Sequence, residues 1–185
     1  MSLSKFHRHW AVFVSGSGST LQALLDQPEL ISVKLVVTNK KNCAAVFKAR
    51  RYGIPVLYLK PGRAFQELSI ELVQKNITHI FLAGFMKIIP SDFLNDWEGR
   101  IFNIHPSLLP AYKGLRAFER ALEDGATTGA SIHHVVEGVD EGELVLQKQA
   151  TDQPENWNPT DNLLLLRKTE QYLLRSFVIK GVPLV

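Results

Sequence analysis

The chain has 185 residues, 45% apolar and 21% charged, with a formal net charge of +3. These proportions exclude intrinsic disorder, and the length suits one domain, 1–185, with a sizeable buried core. A single cysteine, Cys43, excludes an intramolecular disulfide framework and fits a reducing, cytoplasmic location, the scattered Lys and Arg form no nucleic-acid stripe, and no apolar run is long enough for a membrane span.

Residues 10–14 form a continuous apolar run of strand formers that stops at Ser15-Gly16-Ser17-Gly18-Ser19, after which Leu21, Leu24 and Leu25 return at helical spacing. The expected order is strand, tight loop, helix. Residues 33–37 read as a second strand, and 44–52 as a helix closing on Gly53, the glycine expected just past a helix end. A third strand at 54–59, a helix at 64–76 with Phe65, Leu68, Leu72 and Val73 on one face, and a fourth strand at 80–83 repeat the unit. Ser91 is the expected N-cap of a short helix, 101–104 the fifth strand, and 117–123 a helix ending near Gly125.

The rhythm then changes. Residues 130–136 and 144–149 are strand-like around 137–142, which reads as a hairpin-type connection with a parallel return also open. A last helix, 161–180, carries Leu164, Leu165, Tyr172, Leu173 and Phe177, and 154–159 separate it from the sheet. Apolar strands alternating with amphipathic helices predict an α/β, Rossmann-like, mostly parallel sheet covered by helices on both faces. Ligands are expected beyond the carboxyl ends of its strands, where the loops of interest are expected to lie.

Gly16-Ser17-Gly18-Ser19-Thr20 suits anion binding, because glycines let backbone N–H groups approach a phosphate at a helix N-terminus. No Lys-Ser/Thr pair follows, and Leu21 replaces the third glycine of a dinucleotide fingerprint. In Asn103-Ile104-His105-Pro106, alternation puts Asn103 and His105 on the same side of a strand, so an amide and an imidazole face one space. For acyl transfer to an amine, an Asn N–H and a protonated His can stabilise the oxyanion, and an imidazole with a pKa of about 6.5 can shuttle the proton.

Asp140, in a glycine-bounded acidic loop, is either a solvated turn residue or a carboxylate that orients His105 and favours its charged form. Of His133 and His134 one is expected to point inward, as a structural or a site residue. Met86-Lys87-Ile88-Ile89 forms an apolar wall with one cation, or part of the core, while Arg63 and Lys113 read as solvated surface charges. No His/Cys/Asp cluster has metal-ligand spacing.

Five segments together resemble the folate-dependent glycinamide ribonucleotide formyltransferases of purine synthesis: 15–22, 82–89, Asn103-Ile-His-Pro-Ser-Leu-Leu-Pro110, Ser131-Ile-His133, and Asp140-Glu-Gly142 followed by Leu146-Gln147. The resemblance implies metal-free transfer of a formyl group from 10-formyltetrahydrofolate to the amino group of 5-phosphoribosylglycinamide. It implies that Asn103 and His105 stabilise the tetrahedral intermediate and handle the proton, that Asp140 orients His105, and that His133 supports them. Gly18, Ser19 and Thr20 would hold the ribotide phosphate, and Glu170 would contact the ribotide. Met86 to Ile89, Asn103 and Arg63 would contact the folate.

Thr20 stands where the family usually has Asn, and 114–118 lacks a His common there, so both departures fall on the ribotide side. Alternatives within the superfamily are formylation of another amine, such as methionyl-tRNA or an amino sugar, and hydrolysis of the formylfolate. Those relatives carry an added domain, which this reading does not expect here. A non-catalytic nucleotide-binding module would explain the glycine loop but not Asn103, His105 and Asp140 together. The expected partners are small-molecule substrates, with no nucleic acid, membrane or metal, acting on a monomer or homodimer.

Overall fold

The computed structural model describes residues 8–150 and 159–180. Strands β1 (His9–Val14), β2 (Ser32–Thr38), β3 (Val56–Tyr58), β4 (His79–Ala83), β5 (Ile101–His105), β6 (Gly129–His134) and β7 (Leu144–Gln149) form one sheet, ordered β3-β2-β1-β4-β5-β6-β7. Pairing is parallel from β3 through β5 and antiparallel from β5 to β7. Helices α1 (Ser19–Leu25), α2 (Ala44–Arg51), α3 (Phe65–Gln74), α4 (Ser91–Asp96), α5 (Ala117–Glu123) and α6 (Pro159–Lys180) complete the chain.

Strand alternation divides the core in two. Trp10, Val12, Val14, Phe81, Phe102 and Ile104 face Leu21 and Leu24 of α1 and Leu173 and Phe177 of α6. Ala11, Phe13, Leu35, Ile80 and Leu82 face Leu68 and Leu72 of α3 and Phe93 of α4. Both faces of the central strands are therefore dry, which is why these strands read as unbroken apolar runs rather than as alternating ones. Phe177 fixes α6 to the sheet by ring contacts with Phe102, Phe81 and Trp10 at 5.3, 5.6 and 5.9 Å. Truncating such a buried ring costs about 3–5 kcal/mol.

Helix ends follow local chemistry. The α2 carboxyl end closes with Gly53 N–H to the Arg50 carbonyl and Ile54 N–H to the Ala49 carbonyl, a wrap that needs the left-handed φ of 69° at Gly53. At α4, Pro90 is the N-cap and Ser91 the first helical residue, so Ser91 is not the cap its residue type suggested.

Several expectations shift once packing is visible. Val73 is 61% exposed because only Leu68 and Leu72 meet the sheet, with Phe65 partly buried beside them. On α6, Leu164 and Tyr172 face outward, and Leu166, Leu174 and Val178 join Leu173 and Phe177 in the core. The third strand shortens to three residues at the sheet edge, where only one neighbour holds it. The connection around 137–142 is a hairpin, with His134 N–H donating to the Glu143 carbonyl at 2.9 Å. Since β6 runs opposite to β5, this loop leaves the sheet at the end where β5 begins. It is the one loop of interest that does not lie at the carboxyl ends of the parallel strands, and it returns over the face of β5 instead.

Candidate active site

The antiparallel register of β5 and β6 sets Asn103 opposite His133 and His105 opposite Ser131. Asn103 and His105 share one face of β5, as alternation requires, and the returning loop brings Asp140 against that face. Asp140 adopts φ 53°, a left-handed conformation that Asp tolerates better than most residues.

Asp140 is the hub. Its Oδ2 lies 3.2 Å from His105 Nδ1 and accepts the Gly114 N–H at 2.9 Å. Its Oδ1 lies 3.4 Å from both His133 Nε2 and Asn103 Nδ2. Burial on its own would raise this carboxyl, but the His133 and Gly114 hydrogen bonds and the two imidazoles outweigh it and bring it down to about 2. The group is a carboxylate at any working pH.

His105 Nε2 sits 2.9 Å from the Tyr112 carbonyl. A carbonyl only accepts, so Nε2 carries a proton, and Nδ1 faces a carboxylate. An imidazolium satisfies both partners at once. Burial opposes that charge and holds the ring below its ordinary value, while the Tyr112 carbonyl and Asp140 push upward and His133 and Arg120 push down. His133 is 2% exposed and donates Nδ1–H to the His134 carbonyl at 2.7 Å. Its Nε2 lies 3.2 Å from Asn103 Nδ2 and 3.4 Å from Asp140 Oδ1. His134 turns away and packs on Phe102, so His133 is the inward one of the pair.

A polar layer behind the pair fixes the loop 106–112. Ser131, fully buried, donates to the Ser107 carbonyl at 2.7 Å and accepts from Leu109 N–H at 3.1 Å and Gln147 Nε2 at 3.0 Å. Ser107 Oγ donates to the Ala111 carbonyl at 2.7 Å. The loop is thereby held in the shape that presents the Tyr112 carbonyl to His105.

The glycine loop follows β1, with Gly18 as the left-handed N-cap of α1 at φ 70° and Ser19 and Thr20 as its first residues. A Cβ on Gly18 would stand 2.7 Å from Ala45 Cβ, so the close packing of α2 also requires glycine here. Lys48 Nζ donates to the Gly18 carbonyl at 3.2 Å. Ser15 Oγ accepts Met86 N–H at 3.0 Å and donates to Asn39 Oδ1 at 2.6 Å, joining the loops after β1, β2 and β4. Glu170 lies on α6, the helix that packs against α1, and burial raises its carboxyl to about 7, with Arg167 opposing.

On the other side, Met86 and Ile88 are exposed, at 62% and 89%, while Ile89 belongs to the core. Lys87 lies 5.8 Å above the Phe65 ring. Arg63 is ion-paired with Glu71 at 2.7 Å and Glu67 at 3.6 Å and is mostly covered, whereas Lys113 is a solvated surface charge paired with the exposed Glu141 at 3.1 Å. The Tyr112 carbonyl, the Gly114 N–H and Arg120 escaped sequence reasoning. Main-chain contacts have no side-chain signature, and Gly114 alone carried a hint. Among the described residues, no group of three or more His, Cys, Asp or Glu is placed to hold a metal ion, and no helix is long and apolar enough to cross a membrane.

Residues 8–158 match the family described as formyl transferase. The chain is 40% identical over 158 residues to the human trifunctional purine biosynthetic protein adenosine-3, an alignment covering 80% of this chain and 16% of that protein. A solved phosphoribosylglycinamide formyltransferase from Bacillus halodurans is 32% identical, with a TM-score of 0.85 and 94% of each chain covered. Glycinamide ribonucleotide transformylase 1 from Symbiobacterium toebii is 29% identical, with a TM-score of 0.84 and coverage of 100% of this chain and 95% of the other.

Proposed function

The chain belongs to the formyl transferase family, and from that premise we propose that it transfers the formyl group of 10-formyltetrahydrofolate to the amino group of 5-phosphoribosylglycinamide. The observation that carries this reading is the convergence of Asn103, His105 and His133 on one ionised carboxylate, Asp140, in a chain similar along nearly its whole length to phosphoribosylglycinamide formyltransferases. The enzyme is read as cytoplasmic, with two small-molecule substrates.

In the proposed reaction the acceptor amine attacks the formyl carbon, and the carbonyl oxygen becomes an oxyanion. An Asn103 N–H, turned from its 3.4 Å contact with Asp140, and the imidazolium of His105 stabilise that charge. The C–N bond to the folate N10 then breaks. The proton lost by the amine reaches N10, with His105 as the carrier and Asp140 holding the ring. To meet a substrate, His105 must share the Nε2–H now given to Tyr112.

The ribotide phosphate is assigned to the N–H groups of Gly18, Ser19 and Thr20, and a ribotide hydroxyl to Glu170. Met86, Lys87 and Ile88 present side chains to the folate, and Ile89 anchors their segment in the core. Arg63 would contact the folate while retaining Glu71. The test is optical observation of tetrahydrofolate release by purified protein. Release that requires the ribotide supports the reading, and release indifferent to the ribotide rejects the acceptor.

A further inference from the structure

Residues 112–114 form a strap with a separate task at each position. The Tyr112 carbonyl accepts from His105 Nε2, and the Gly114 N–H donates to Asp140 Oδ2 at 2.9 Å. Between them, the Lys113 carbonyl accepts from Arg120 Nη2 of α5. The strap therefore grips both halves of the His105–Asp140 pair, and its middle is tied to a cation.

Arg120 is committed to this contact. Its guanidinium also lies 5.8 Å from the centre of the Tyr112 ring, whose hydroxyl donates at 3.0 Å to Oδ2 of Asp124, the C-cap of α5. Its Nε–H is buried without a hydrogen-bond partner. Such an orphan donor costs stability, against which stand the Lys113 hydrogen bond and the Tyr112 ring contact. Tyr112 and Gly114 have φ of 55° and 80°, so the strap is left-handed at both ends and depends on what it is fastened to.

We propose that Arg120 is a positioning residue of the formyl transfer site, fixing the strap against which His105 and Asp140 are both held. The proposal rests on the functional reading above only for its kinetic part. Arg120 has two separable effects: it tethers the Lys113 carbonyl, and it places a positive charge near His105. The charged and titratable groups around His105 are Asp140 from the loop after β6, His133 from β6, and Arg120 from α5. The first favours the imidazolium, and the other two oppose it.

The test uses the whole chain with Arg120→Gln, which keeps a donor but removes the charge, and Arg120→Lys, which keeps the charge but loses the planar fork. NMR titration of the His105 ring in the free protein, assigned with His105→Asn, reads the charge effect without any turnover. Arg120→Gln is expected to raise the His105 midpoint, and Arg120→Lys to leave it near the wild-type value. In the ribotide assay both variants are expected to lose about tenfold or more in kcat, with the folate KM nearly unchanged. The kcat optimum of Arg120→Gln should also move to higher pH. Wild-type kcat in both variants, whatever the His105 midpoint, overturns the proposal. Should Arg120→Gln fail to fold, Arg120→Lys decides by kcat. Wild-type protein without ribotide-dependent release would reject the functional reading instead, and the tether is then read from hydrogen exchange of the Gly114 amide bonded to Asp140, faster exchange in Arg120→Lys supporting the proposal and an unchanged rate overturning it.

Discussion

Replacing Asp140 with Asn removes a charge and little volume. The amide oxygen can still accept the Gly114 N–H, so the loop keeps its backbone anchor. What is lost is the charge-assisted contact with the His105 ring at 3.2 Å, worth about 1.5–3 kcal/mol. At about 1.4 kcal/mol per factor of ten, that corresponds to roughly 10- to 150-fold in rate, so kcat should fall about a hundredfold. Stability should change as well, with a definite sign. Bringing the carboxyl from 3.8 to about 2 contributes about 2 kcal/mol, fully present above pH 4 and lost as the pH falls through 2. Asp140→Asn should therefore be less stable than wild type by about that amount at pH 7, and equally stable at the acid limit. A domain of ordinary stability, about 5–15 kcal/mol, survives such a loss. Initial rates of ribotide-dependent folate release, with urea unfolding at pH 7 and circular dichroism to confirm folding, make the measurement. A folded Asp140→Asn protein turning over within threefold of wild type would refute the reasoning.

Gly18→Ala should destabilise the protein by about 1–3 kcal/mol, because its Cβ would strike Ala45 and its φ disfavours a side chain; urea melts check the first effect, and a raised ribotide KM would show the loop displaced. Glu170, raised from 4.5 to about 7, is most favourable to folding below pH 4.5 and loses that contribution as the pH rises through 7. Glu170→Gln should then stabilise the protein at pH 8 in thermal unfolding while raising the ribotide KM, and an unchanged melting temperature would contradict the burial argument. His79 shows the opposite slope. Burial, with Arg8 and Arg100 nearby, lowers it to about 4, so stability should fall as the pH drops from 6.5 through 4, and His79→Gln should flatten that part of the urea-midpoint curve.

Much of the sheet was legible because its signals are local. The apolar run of β1 stops at a glycine loop, and Asn103 and His105 fall on one strand face by simple alternation. Val73 groups with the apolar face of its helix yet is exposed, because helical spacing names a face but not its width; the covering helices meet the sheet along narrower stripes than their apolar content suggests, as the exposed Leu164 and Tyr172 also show. The meeting of Asp140 with His105 depends on β6 reversing direction and on a loop folding back, neither of which leaves a periodic mark. Resemblance to a family supplied that pairing. The strap escaped both routes, since its grip on the pair is made by a carbonyl and an N–H that any residue could provide.

The loop that carries Asp140 is pinned where it rejoins the sheet: a Cβ on Gly142 would stand 1.8 Å from the His134 carbonyl oxygen. With both ends of 135–143 so fixed, its contour length acts as a gauge for where the carboxylate arrives. One added or deleted residue shifts the chain by up to about 3.5 Å, more than the margin of any contact Asp140 makes. Length variants of this loop should thus leave the strands paired and the protein folded yet chemically silent, making catalysis and architecture separable by a single codon.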